Sequence, residues 1–128
     1  MDVFIIDAPN RPGELAKVSQ ALGDKNINID AVAAVGGGDQ GVVGIISNND
    51  AATRATLDDA GVTYRTIPCM TVNLPNRPGE LAGLTRRLTY SGINLEFVAP
   101  IGLADTATIA LGVSDTQAAR AALKDGIS

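Results

Sequence analysis

The eight residues Pro9-Asn10-Arg11-Pro12-Gly13-Glu14-Leu15-Ala16 return, letter for letter, as Pro75-Asn76-Arg77-Pro78-Gly79-Glu80-Leu81-Ala82. The spacing of 66 residues holds without a gap well past the motif. Leu22 maps onto Leu88, Ile27-Asn28 onto Ile93-Asn94, Val32-Ala33 onto Val98-Ala99, and Asp39 onto Asp105. Such identity in a chain of 128 residues makes the protein a tandem repeat of one unit of domain size. The sequence divides it at residues 1–67 and 68–128. Whatever one copy of the turn does, the other is placed to do as well.

An apolar alternating run (Phe4, Ile6, Ala8) enters the turn, and a helical apolar run (Leu15, Val18, Leu22) leaves it. The pattern is strand, tight loop, helix N-terminus. Pro12 suits a first helical turn, where its missing N–H was unpaired anyway. Glycine is a poor helix residue, so Gly13 and Gly79 point to a backbone that something approaches closely. The amides near Gly13, Glu14 and Leu15, at the positive end of the helix dipole, form a ready carboxylate or phosphate site. Gly79, Glu80 and Leu81 repeat it. Asn10 and Asn76 either add a side-chain amide to that site or cap their helices. Arg11 and Arg77 suit a solvated turn, and Glu14 and Glu80 favour the dipole.

Composition removes several classes. The net charge is −4 and the ten basic residues are scattered, with only Arg86-Arg87 adjacent, which argues against nucleic acid. There is no histidine and one cysteine, Cys69, so a nitrogen- or sulfur-rich metal site lacks ligands and no internal disulfide can form. No cofactor motif is present: Gly36-Gly37-Gly38-Asp39-Gln40-Gly41 has the glycines of a phosphate loop but not its order, and suits a hairpin connection. No apolar run approaches membrane-spanning length, and no basic region precedes the first strand. A cytoplasmic address is the expectation. Apolar content of 45% fits a folded chain, and units this small are marginal alone.

Along the chain, strands are expected at Val3–Ala8, Ile27–Val35, Val42–Ser47 and Val62–Thr66, with helices at Gly13–Lys25 and Asp50–Ala60. The second unit repeats this with Met70, Val72 and Leu74 alternating, a helix at Gly79–Ser91, strands at Ile93–Ile101 and Thr106–Val113, and a helix at Thr116–Asp125. Only Ile127 and Ser128 remain for a last strand, which would bare an edge at Met70–Leu74 and invite a second chain or a swapped segment to cover it. The fold class is α+β: two ferredoxin-like βαββαβ repeats, helices on one face of antiparallel sheets. Pro68 makes the passage between them short and stiff.

A βαββαβ unit with (Asp/Asn)-Arg-Pro-Gly-x-Leu at the first turn and Ile-Asn-(Ile/Leu) opening strand two resembles the ACT domain, and the likeness covers essentially the whole chain, twice. The resemblance implies a regulatory module that binds a free amino acid, often where two ACT sheets join, with no catalysis of its own. In serine-binding members an Asn before Arg-Pro-Gly and the Asn opening strand two of a neighbouring domain contact the ligand. By position these are Asn10 and Asn76, then Asn28 and Asn94, with Asn10 expected to face Asn94 and Asn76 to face Asn28. Such members carry a His two residues before the turn Asn; Ala8 and Leu74 stand there here, implying a more apolar wall. A homo-oligomer, a dimer in the simplest case, and a regulated enzyme or transcription factor are the implied partners. Two rivals remain: a docking subunit without a small ligand, and a ferredoxin-like enzyme. The second lacks a positioned acid–base pair, since Asp39 and Asp105 both fall in hairpin loops.

Overall fold

The computed structural model describes residues 1–124. The chain forms two compact units, Met1–Thr66 and Ile67–Ser128, so the division falls one residue before the expected one. In order, the elements are β1 (Asp2–Pro9), α1 (Glu14–Asp24), β2 (Ile29–Gly37), β3 (Gln40–Ser47), α2 (Asp50–Asp59), β4 (Tyr64–Pro75), α3 (Glu80–Tyr90), β5 (Phe97–Leu103), β6 (Thr106–Gly112) and α4 (Thr116–Leu123). This is the βαββαβ pattern, repeated. Ile127 and Ser128, where a last strand was sought, lie outside the described residues.

In the first unit β3 pairs antiparallel with both β1 and β2. In the second, β6 pairs antiparallel with both β4 and β5. The alternation of β1 sends Phe4 and Ile6 toward the helices, where they bury with Val43 and Ile45 of β3, Val18 and Leu22 of α1, and Leu57 of α2. The second core uses the same positions: Met70, Val72 and Leu74 with Leu111, Leu84, Leu88, Ala119 and Leu123. The phenol of Tyr64 donates to Asp58 Oδ1 at 2.8 Å. Partial burial and that carboxylate both push its pKa up.

Three expected boundaries shift for one reason. After α1, Asn26 takes φ 59°, its N–H reaches Gly23 O at 2.9 Å, and Ile27 N–H returns to Leu22 O at 3.0 Å. Gly61-Val62 closes α2, and Gly92-Ile93 closes α3, with the same pair of bonds. This is the Schellman closure, with an apolar residue just past the turn packing back on the helix. Ile27, Val62 and Ile93 therefore finish helices instead of opening strands, which begin at Ile29, Tyr64 and Phe97.

β4 was expected as two strands parted at Pro68. It runs as one, because Pro68 keeps its carbonyl, which accepts from Val113 N at 3.0 Å. No described helix is long and apolar enough to cross a membrane.

Candidate functional site

Each repeated turn is built by its glycine. Gly13 and Gly79 sit at φ 92° and 89°, left-handed backbone that glycine adopts without steric cost, and the helices begin one residue later at Glu14 and Glu80. This corrects two expectations. Pro12 precedes the helix and does not open it, and the glycine is required by its backbone angle and not by a close approach. A Cβ built on either glycine would meet nothing within 4 Å, so the space over the turn is open.

The asparagines do not cap these helices. Asn10 donates its backbone N–H to Asp39 O at 2.9 Å and its side-chain Nδ2 to Gly38 O at 2.9 Å. Asn76 does the same to Asp105 O at 2.8 Å and Ala104 O at 2.9 Å. Each clamps the hairpin that leads into the strand paired beside its own, β3 for Asn10 and β6 for Asn76. Consequently α1 and α3 start with no side-chain cap, whereas Asn49 Oδ1 caps α2 at Ala52 N (3.0 Å) and Asp115 Oδ1 caps α4 at Ala118 N (3.0 Å). Among the described residues no side chain caps the two helices that follow the repeated turn, although the Glu80 N–H donates to the Arg77 carbonyl at 3.4 Å.

The neighbouring charges pair locally. Arg11 Nε lies 2.7 Å from Glu14 Oε1, and Arg77 Nη2 lies 2.7 Å from Glu80 Oε1. Lys17 adds a second cation at 3.5 Å from Glu14. The Arg11 hydrogen bond is the main cause holding the Glu14 carboxyl below its usual range, against partial burial. A depressed folded pKa means that the stabilisation exists above the ordinary carboxylate pKa and fades as pH falls through the folded value.

A hollow opens beside each turn. The first, about 180 Å³, is lined by Asn10, Arg11, Glu14 and Leu15 against Ala34, Gly36 and Val43. The second, about 270 Å³, is lined by Asn76, Arg77, Glu80 and Leu81 against Val98, Pro100 and Leu103. Both are smaller than the roughly 300–1,000 Å³ of drug-sized pockets. Leu15, expected on the core face of α1, stands instead at the rim and is 41% exposed; its counterpart Leu81 is 50% exposed.

Asn28 and Asn94 lie elsewhere. Asn28 precedes β2 at the end away from the hairpin, roughly 25–30 Å of extended chain from Gly36, and its Nδ2 donates to Asp30 Oδ1 at 2.6 Å. Asn94 is exposed in the segment before β5. Neither lines the hollow of its own repeat.

Sequence reasoning missed the hairpin wall: Gly36, Val35 and Val42 in the first repeat, Pro100 and Leu103 in the second. One signal was present, since Asp39 and Asp105 recur at the repeat spacing and their carbonyls receive the asparagine amides. The close packing there gives a test. A Cβ on Gly36 would fall 2.5 Å from Asn10 Oδ1. Gly36→Ala should evict the Asn10 side chain, cost about 1 kcal/mol in urea unfolding and speed amide exchange at Asn10. Gly37→Ala, with open space, should do neither.

The ACT-domain family model matches residues 3–60. No curated protein matches the chain in sequence. Among solved structures the fold is similar to protein BT0572 from Bacteroides thetaiotaomicron, at TM-score 0.84 and 22% identity over 97% of this chain and 86% of that one. It is also similar to the ligand-free regulatory subunit of aspartate kinase from Thermus thermophilus, at TM-score 0.69 and 21% identity over 96% and 89%. A putative C-terminal regulatory domain of aspartate kinase from Porphyromonas gingivalis follows at TM-score 0.62 and 14% identity over 97% and 90%.

Proposed function

Because its first repeat is an ACT domain and its second has the same fold, we propose that this chain is a regulatory sensor of a free amino acid, with one binding hollow at each Asn-Arg-Pro-Gly turn. The observation that carries the reading is the contrast in capping: α1 and α3 lack a side-chain cap while α2 and α4 have one. An α-carboxylate supplies an acceptor for the amides at 13–15 and 79–81 at the positive end of the helix, in exchange at Glu80 for its long bond to the Arg77 carbonyl at 3.4 Å. With Nδ2 held by the hairpin carbonyl, the Oδ1 of Asn10 or Asn76 serves as acceptor for the ligand's ammonium. Asn28 and Asn94 are the groups we assign to a ligand held on a neighbouring ACT sheet.

Binding regulates by favouring one arrangement of chains or partners over another. The likeness to regulatory subunits of aspartate kinase supports a metabolic enzyme as the regulated partner, and we propose a homo-oligomer as the working form.

A thermal-shift panel of common amino acids tests the proposal. The true ligand at about a hundred times its Kd should add roughly 2.7 kcal/mol. Asn10→Ala with Asn76→Ala should abolish most of that gain, and Asn94→Ala should weaken one hollow while sparing the other. The second reading, a docking subunit without a small ligand, is favoured by the exposed Leu15, Val35, Leu81 and Leu103. No shift with any amino acid would select it.

A further inference from the structure

The two hollows are not copies, and one difference between them arises from a single extra residue in one strand. In the first repeat Gly36 pairs with Gly41 at the end of β2, and the register runs evenly from Ala31 to that point. In the second, β5 slips between Pro100 and Gly102, so Ile101 is an extra residue and Leu103 pairs with Ala107. Ala107 is the counterpart of Gly41, so Leu103 occupies the place that Gly36 holds in the first hollow. A bulge of one residue changes which side chain faces a site. At Gly36 no side chain fits, since even a Cβ would meet Asn10. At Leu103 a full isobutyl group stands in the wall.

Val35 and Val42 line the first hollow while their counterparts Ile101 and Thr108 do not line the second, but three other substitutions enlarge the second wall. Ala34, Gly41 and Val43 are replaced at the repeat spacing by Pro100, Ala107 and Ile109, each adding carbon to the lining. The charge beside the turn changes too. Lys17, which gives the first turn a second cation beside Glu14, is replaced by Gly83, leaving Arg77 and Glu80 as a one-to-one pair. The second hollow is the larger, and Leu103, Leu81 and Val98 at its mouth are 66%, 50% and 41% exposed.

We infer that the two hollows select different amino acids, and that Leu103, carried into the second by the β5 bulge, fits it to an aliphatic side chain. This rests on the sensor reading above. The backbone amides at 79–81 hold the α-carboxylate common to all amino acids, and Leu103, Leu81 and Val98 discriminate by covering the side chain. The first hollow is smaller and has Gly36 where Leu103 stands, so its aliphatic cover is limited to Leu15, Val35 and Val42.

Amide NMR titrations of the full chain with leucine, isoleucine, valine, alanine, serine and lysine test this, read at residues 79–81 and separately at 13–15. Leucine, isoleucine or valine should bind the second hollow at least about tenfold more tightly than alanine or serine. Leu103→Gly should erase that preference and leave the response at 13–15 unchanged, while Leu103→Met should retain it. Binding at 79–81 without aliphatic preference, or a preference that survives Leu103→Gly, overturns the inference and leaves the sensor reading standing. Shifts at Leu103 that follow protein concentration and not ligand also overturn it, because a second copy would then cover this wall. If no amino acid moves either set of amides, both readings fail.

Discussion

Replacing Leu22 or Leu88 by alanine should each cost about 2–5 kcal/mol in urea unfolding, by far more than Leu15→Ala or Leu81→Ala. The two leucines occupy one position of the repeat, on the inner face of α1 and of α3. Leu22 is 0% and Leu88 1% exposed. Each also anchors the Schellman turn behind it, through the Ile27 or Ile93 amide returning to its carbonyl. Truncation opens a cavity among close-packed side chains, and the surrounding strands cannot collapse to fill it. Leu15 and Leu81 lie one helical face away at the rim, and their truncation should change stability by about half a kcal/mol. An equal loss at rim and core positions would mean that the helices pack differently from the description above.

Gly13→Val and Gly79→Val should produce the second large effect, on stability and on ligand binding together. A β-branched residue at φ near +90° is a steric outlier, and holding it there costs about 1–3 kcal/mol. The chain can relieve the strain only by rebuilding the turn, which moves the first-turn amides away from the hollow. Gly23→Ala provides the opposite sign. Gly23 sits in ordinary helical backbone with open space around it, so alanine should stabilise α1 by about 0.5–1 kcal/mol. Urea midpoints of the three variants separate conformational strain from a general intolerance of larger side chains.

The architecture was legible because the chain states it twice. Alternation at Phe4, Ile6 and Ala8, repeated at Met70, Val72 and Leu74, fixes which strand face meets the helices. What escaped was local and has physical causes. Ile27, Val62 and Ile93 read as strand starts by β-propensity, but the backbone bonds that close each helix claim them first. The turn residues Asn10, Gly13 and Glu14 were identifiable from the motif, whereas the bond partners of Asn10 were not. Those partners are carbonyls of Gly38 and Asp39, supplied by a hairpin 28 and 29 positions away, and any residue can supply a carbonyl. The slip at Ile101 is likewise invisible in letters, because it depends on how β5 and β6 pair.

The account depends on amino-acid carboxylates seating on the uncapped starts of α1 and α3. A crystal structure of the chain grown with the amino acid that gives the largest thermal shift tests this most directly. The account places the ligand carboxylate within hydrogen-bond distance of the amides at 13–15 or 79–81, with its ammonium facing Asn10 or Asn76. A ligand seated elsewhere, with those amides turned to solvent, would contradict it.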